Sequence, residues 1–280
     1  MSGTITFLVD NRAEESFMAE NGFSILIEKE GKRVLFDTGQ KGETLFYNAE
    51  KLGVSLSGLD AVVLSHGHFD HSGNLGEIFR LNPSVAFFSH PACRITRWSL
   101  HPGKTPHSVG LSRENNAAIM HLPPHQVHWC DTPAQILPDV WVTGSIPRKS
   151  RFEDPGGPFY QDETGHIPDL ILDDMALWIV GEKGLTLVCG CCHSGIKNTI
   201  DYIDSLAEGV GIHSLIGGFH LLKATPERLT KTISFLNQTG IKRVFPAHCT
   251  GESAMRALQE QLKAQVQLGR VGMASRIQVI

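Results

Sequence analysis

An α/β architecture follows from three features of this 280-residue chain. Short apolar runs rich in β-branched residues alternate with stretches of helical periodicity. The ends of many of these runs are punctuated by Gly, Pro or Asp, and several carry a histidine. Hydrophobic residues make up 41% and charged residues 19%, the balance of an ordinary soluble globular protein, and the length suits one large domain, taken here as 1–280.

The elements read in order as follows. Ile5-Thr6-Phe7-Leu8-Val9 is the first strand, and 23–28 with 33–37 forms a hairpin turning at Glu30-Gly31. Leu45, Ala49 and Leu52 lie at helical spacing, which predicts a helix over 44–52 stopped by Gly53. The run Ala61-Val62-Val63-Leu64 reads as a buried strand, followed by a helix over 74–80 and a strand over 84–88. Residues 91–170 break the alternation. They are rich in Pro, Gly and His, with a short helix over 112–120, strand fragments at 127–129 and 140–142, and a mostly irregular stretch over 146–168. Long irregular segments in compact domains are usually lids or binding loops, so this one is expected to cover the site. Alternation then resumes with a strand over 185–188 and a helix carrying Ile196, Ile200, Ile203 and Leu206 on one face. A strand over 212–216 leads to a helix with Thr225 as N-cap, Pro226 in its first turn, and Leu229, Ile233 and Leu236 inward. A strand over 243–245 and a helix over 252–265 close the chain.

The chemistry gathers at Ser65-His66-Gly67-His68-Phe69-Asp70-His71, directly after the 61–64 strand. Neutral imidazole and carboxylate are the ligands that Zn²⁺ and similar divalent ions prefer. In an extended segment His66 and His68 point the same way, and a turn can aim Asp70 and His71 at a neighbouring point, so one loop can hold two ions. A polar loop that is histidine-rich by chance is the competing reading, and four ligands at this spacing speak against it. His71, His90, His193, His220 and His248 each follow the carboxyl end of an expected strand, where α/β proteins collect ligands.

Taken singly, His193 and His248 read as metal ligands. His220 reads as a substrate-facing group, a ligand or a helix cap. His90 reads as substrate-facing and outside the ligand set. Asp37, ending Leu35-Phe36-Asp37-Thr38-Gly39, reads as the carboxylate that orients the metal loop, against a solvated turn residue. Arg148 and Lys149 are candidates for pairing with a phosphate oxygen, against simple surface exposure. Cys189 reads as a small buried hydrophobe, while Cys191 and Cys192 rank as thiolate ligands below the nitrogen and oxygen donors.

Several classes are disfavoured. A net charge of -4 with scattered Lys and Arg argues against nucleic-acid and membrane-surface partners. No apolar stretch reaches the roughly 20 residues needed to span a bilayer. Met1-Ser2-Gly3-Thr4-Ile5 lacks the marks of a signal peptide, so a cytoplasmic location is expected. The six cysteines do not have the spacing of a secreted disulfide framework, and reduced thiols are expected.

The Ser65–His71 segment resembles the metal motif of the metallo-β-lactamase superfamily, and Phe36-Asp37-Thr38-Gly39 its upstream Asp. Gly144-Ser145-Ile146-Pro147-Arg148, Leu172-Asp173-Asp174-Met175-Ala176-Leu177, Gly190-Cys191-Cys192-His193-Ser194-Gly195, Gly217-Gly218-Phe219-His220-Leu221 and Ala247-His248-Cys249-Thr250-Gly251 are similar to one branch, that of dihydropterin-6-methyl-ribofuranosylaminobenzene-5'-phosphate synthase. The resemblance runs over nearly the whole chain. It implies a four-layer αββα sandwich with a dinuclear site at one edge. It also implies two divalent metal ions, zinc first, with Mn or Fe as alternatives. His66, His68 and His193 would hold one, and Asp70, His71 and His248 the other. Two departures leave that split open. No Pro-Gly-His-Thr-like segment supplies the usual separate histidine, and Gly190-Cys191-Cys192-His193 stands where many members have a bridging Asp.

The function expected from these residues and this resemblance is a metal-dependent hydrolase acting on a small, phosphate-containing substrate through a metal-bound hydroxide. A divalent ion lowers the pKa of bound water from about 15.7 to about 7. Asp70 and His220 are the catalytic candidates. The branch's synthase chemistry, joining a pterin diphosphate to an aminobenzene ribosyl phosphate, is the nearest alternative. A non-haem di-iron redox protein is another, set back by His68 standing where a Glu would be expected. A non-catalytic sensor on the same fold is the last. The expected partner is a small molecule, with a homo-oligomer left open.

Overall fold

Along Ser24–Lys29, Ile25 and Ile27 face one way and Leu26 the other, and this period-two alternation sorts the apolar side chains into layers. The computed structural model describes residues 3–273 and 277–279. Ile25 and Ile27 enter a layer with Phe36, Val63, Leu177, Val188, Ile216 and Phe245, which lies between two sheets. Leu26 enters another with Leu35, Val62 and Phe87, roofed by Leu45, Ile78 and Ile119 of the helices Thr44–Lys51, Leu75–Leu81 and Arg113–His121. A third layer joins Leu187, Leu215 and Val244 to Ile200, Ile233 and Leu258 of the helices Ile196–Leu206, Pro226–Leu236 and Glu252–Gln261. Three apolar layers make four structural ones, the αββα sandwich.

Each of the two packed sheets has seven strands, and a separate three-stranded sheet joins Phe159–Tyr160, Trp98–Ser99 and His107–Ser108. The first runs Ile277–Val279, Gly3–Val9, Ser24–Lys29, Lys32–Phe36, Ala61–Leu64, Ala86–Ser89, Val127–Trp129, and is parallel from Lys32–Phe36 onward. The second runs Gln265–Val266, Arg243–Ala247, Ile212–Gly218, Gly184–Cys189, Ala176–Gly181, Val140–Val142, Ala134–Leu137, with its first four strands parallel. The carboxyl ends of the two parallel sets meet at one edge of the sandwich, where the histidines collect.

Segment 91–170, expected to cover the site, also builds the sandwich: Val127–Trp129 extends the first sheet while Ala134–Leu137 and Val140–Val142 extend the second. Its irregular part, 146–168, contributes only Phe159–Tyr160, paired with Trp98–Ser99. Ala176–Gly181, not anticipated as a strand, forms a full antiparallel hairpin with Gly184–Cys189. The last helix stops at Gln261, short of the expected 265, because Gln265–Val266 pairs with Arg243–Val244 and satisfies backbone groups at that sheet edge. Among the described residues no helix is long and apolar enough to cross a membrane.

Phe23 links core to site. Its ring meets Phe7 and Phe36 edge-on at 6.1 and 6.5 Å and lies 6.3 and 6.1 Å from the rings of His71 and His248. Phe23→Ala is expected to cost about 3–5 kcal/mol of stability, seen as a lower urea midpoint at unchanged slope.

Candidate metal centre

Ala61–Leu64 is buried along its whole length and delivers the chain into Ser65-His66-Gly67-His68 and the helical turn Phe69–Ser72. Asp37, just beyond Lys32–Phe36, holds this loop. Its Oδ1 accepts the Ser65 amide at 2.7 Å, and its Oδ2 accepts both the Ser65 hydroxyl and His71 Nδ1–H at 2.7 Å. Asp37 is fully buried and sits at φ 60°, a left-handed conformation that costs backbone energy and is tolerated best by Gly, Asn and Asp. The second sheet closes on this carboxylate through Gly190, where a Cβ would fall 2.2 Å from Ser65 Oγ.

A second buried network braces the loop from its other side. Asp173 Oδ2 accepts the Gly67 amide at 2.7 Å. Arg97, fully buried, donates to Asp169 at 2.6 Å and to Asp173 Oδ2 at 3.0 Å, with a further bond from Nη2 to Asp173 Oδ1. A Cβ on Gly67 would lie 2.0 Å from the Cys93 carbonyl oxygen, so only glycine fits between loop and brace. Arg97, Asp169 and Asp173 were not singled out in the sequence. Arg97 has no periodic neighbours, and the one signal available was the Leu172-Asp173-Asp174 segment of the branch resemblance.

The imidazoles converge. His66 Nε2 is 3.0 Å from His68 Nδ1, and the ring of His193 is centred 4.8 Å from that of His66 and 5.0 Å from that of His68. The rings of His71 and His248 are 4.9 Å apart, and His248 Nε2 is 3.6 Å from Asp70 Oδ2. Donor atoms of His66, His68 and His193 lie within 4.8 Å of one another, as do those of Asp70, His71 and His248.

The outward nitrogens are pinned. Nδ1 of His71 donates to Asp37, that of His193 to the Pro155 carbonyl at 2.6 Å, and that of His248 to Asn11 Oδ1 at 2.7 Å. Each Nε2 is therefore the inward-facing nitrogen, able to ligate wherever it is unprotonated, the arrangement by which second partners orient metal-binding histidines. Nε2 of His193 and of His248 is buried without a hydrogen-bond partner, which would be costly if nothing bound it. This donor set fits divalent metal ions.

Burial, reinforced by neighbouring positive groups, holds His66, His68 and His193 well below the ordinary histidine range, so they are neutral and ready to ligate. At His71 burial also pushes down, but the Asp37 carboxylate, with Asp70 behind it, outweighs it and lifts the ring to about 9 in the metal-free protein.

A family model for the metallo-beta-lactamase superfamily matches residues 18–171. The chain belongs to the metallo-beta-lactamase superfamily. A curated relative from Methanocaldococcus jannaschii, 7,8-dihydropterin-6-methyl-4-(beta-D-ribofuranosyl)-aminobenzene-5'-phosphate synthase, is 33% identical over 256 residues, covering 88% of this chain and 86% of the relative. The crystal structure of Tm1679, described as a metal-dependent hydrolase of the beta-lactamase superfamily, superposes with TM-score 0.81 at 26% identity over 100% of this chain and 99% of that one. Zinc-bound PqqB from Methylobacterium extorquens, at TM-score 0.59 and 11% identity over 100% of both chains, shares the fold.

Within this superfamily fold the remaining candidates divide. His220, at φ 47° past the end of Ile212–Gly218, packs its ring 4.3 Å from that of His193 and leaves Nδ1 unpartnered. It lines a cavity of about 190 Å³ with Cys249, Phe159, His101, Lys223 and Arg228. The wider groove of about 510 Å³ near Lys41 and Glu77 contains none of the clustered donors.

His90 is placed differently from expectation. Its Nδ1 accepts the Ala92 amide at 3.0 Å and caps a 3-10 turn, and its Nε2 meets Ser145 Oγ at 2.9 Å, so both nitrogens are engaged. Arg148 and Lys149 also lie elsewhere. Arg148 donates to the Ile171 carbonyl at 2.7 Å, and Lys149 lines a separate hollow with Asn198, Asp201 and Tyr202. None of the three lines the cavity beside His220. Lys223 and Arg228, overlooked in the sequence because they sit at the start of an amphipathic helix and just before it, rim the cavity instead.

Two measurements check this account. Asp37→Asn should weaken metal affinity by about 10–100-fold in a chelator competition, because His71 loses its orienting carboxylate. Arg97→Met should cost about 3–5 kcal/mol in urea unfolding by stranding two buried carboxylates.

Proposed function

We propose that this protein is a metal-dependent enzyme acting on a small, phosphate-containing molecule at a pair of divalent ions. The observation that carries this reading is the set of inward Nε2 atoms whose opposite nitrogens are pinned by Asp37, Pro155 and Asn11. His66, His68 and His193 would hold one ion and Asp70, His71 and His248 the other, with zinc the first candidate. When bound there, divalent ions supply Lewis acidity and a nucleophile drawn from water near neutral pH.

The chain's own residues do the rest. Asp70, only partly buried and next to His248, is placed to accept a proton. His220 lines the cavity and can bind a substrate oxygen. Phe159 covers His68, ring centres 4.9 Å apart, and keeps water from that flank. Arg228 is anchored by Asp154 at 2.8 Å with its Nε unpartnered, and Lys223 stands beside it, a pairing suited to phosphate oxygens. The cavity takes the phosphate-bearing end of a substrate rather than a polymer.

Synthase chemistry is the second reading, favoured by 33% identity over 88% of this chain to a relative whose name specifies a 5'-phosphate product. Hydrolysis passes the group to water, whereas a synthase joins two substrates. Assaying one purified sample for phosphate-ester hydrolysis and for the joining reaction separates the two, and metal analysis of the same sample identifies the ion. Either activity is expected to vanish on chelation and return with zinc, and turnover that survives complete metal removal would overturn the reading.

Lys223→Ala should raise KM about tenfold with kcat nearly unchanged, the loss of one charge-assisted contact worth about 1.4 kcal/mol. The pH dependence has a defined sign. His71 is protonated in the metal-free protein below about 9, and an ion must displace that proton. Affinity therefore rises with pH up to about 9, and protons released per bound ion fall by one on crossing it, as calorimetry in buffers of different ionisation enthalpy will show.

A further inference from the structure

The sulfur of Cys191 falls outside both of the ligand groups proposed above and reaches both. Its Sγ is 3.2 Å from His71 Nε2. It also falls within 4.8 Å of partner donors in three separate sets, with His66 and His71, with His193 and His220, and with His248 and Cys249. Among the described residues no other donor is shared by three such sets. Asp70, the one carboxylate in them, is grouped with His71 and His248 but not with His66 or His193, so no carboxylate is placed to span both ions.

We propose that Cys191 is a thiolate ligand shared between the two metal ions, an inference that rests on the metal-dependent reading above. Spacing supports it. With zinc–sulfur bonds of about 2.3 Å and zinc–nitrogen bonds of about 2.05 Å, two donors on one ion sit about 3.1 Å apart at a right angle and about 3.6 Å apart at the tetrahedral angle. The observed 3.2 Å lies between them. His71 Nδ1 is committed to Asp37, so the lone pair on Nε2 has only a proton or a metal to share with the sulfur. The unpartnered Nε2 atoms of His193 and His248, both on fully buried rings, belong to the same cluster around Cys191.

Backbone geometry directs this sulfur and its neighbour to opposite sides. Cys192, at φ 57°, turns its side chain into the core against Ile196 and within 3.5 Å of Thr199 Oγ1. Cys249 accepts the His220 amide at 3.3 Å and donates to the Cys191 carbonyl at 3.6 Å, and its sulfur shares one donor set, that of Cys191 and His248. When metal binds, the Cys191 thiol gives its proton to solvent and sulfur–metal bonds replace the S–H bond, with no change of oxidation state. A soft shared thiolate biases the site toward zinc and away from manganese or magnesium.

X-ray absorption on the full chain loaded with zinc tests the proposal. The expected result is a sulfur shell at about 2.3 Å in the wild type, kept in Cys192→Ser and Cys249→Ser and lost in Cys191→Ser. Zinc bound through nitrogen and oxygen alone overturns the inference while leaving the metal-dependent reading intact. So does a sulfur shell that survives Cys191→Ser. If Cys191→Ser holds no zinc, the other three samples decide: sulfur in all three sustains the proposal, and its absence from any one overturns it. A wild type that takes up no zinc, manganese or iron overturns both readings.

Discussion

Asp37 accepts hydrogen bonds from the amide and hydroxyl of Ser65 and from His71 Nδ1, and the centre is organised around those three bonds. They fix where the loop leaves the first sheet, which nitrogen of His71 keeps its lone pair, and how near the second sheet can approach at Gly190. A carboxylate can satisfy three donors from one buried position only if the backbone offers it at the right angle, and the left-handed conformation of Asp37 does so. Strain of this kind persists where the surroundings over-determine it, and His220 and His248 share the same conformation beside the same centre.

The ligand loop is held from two sides by charges of opposite role. Asp37 draws Ser65 and His71 toward the sheets, while Arg97 aligns Asp173 to receive the Gly67 amide. Four buried side chains thus position the loop that carries His66, His68, Asp70 and His71. Pre-organisation of this kind places the energetic cost in folding rather than in metal uptake. It also explains why segment 91–170 is woven into both sheets. It supplies Arg97 and Asp169 to the brace and Pro155 to His193, and a loosely attached lid could not hold a ligand to a fixed orientation.

The centre and the cavity divide their work by burial. Burial keeps His66, His68 and His193 neutral in the cluster, whereas Lys223, Arg228 and His220 line the adjoining cavity, where an anion can be met. Cys191 lies between the two ligand groups, at the meeting of the two sheets.

Much of the fold was legible because its determinants are local. Period-two apolar runs, helical spacing, Thr225 with Pro226, and the tight His66–His71 cluster act within a few residues, and short-range sterics carry that information directly. The pattern of Ala176–Gly181 was obscured because both of its faces are buried, one against the inter-sheet core and one, through Trp178, against Trp141 and the helical layer. The clustered histidines could be named from their place after strands. The partners that orient them could not, since Arg97 meets Asp173 across 76 positions, His71 meets Cys191 across 120, and His248 meets Asn11 across 237. By itself the sequence determined which chemistry the chain carries and the periodicity of most of its elements. Tertiary structure decided which nitrogen, sulfur and guanidinium face that chemistry. Side-chain direction at a strand end depends on what packs against it, and that neighbour comes from the far side of the fold.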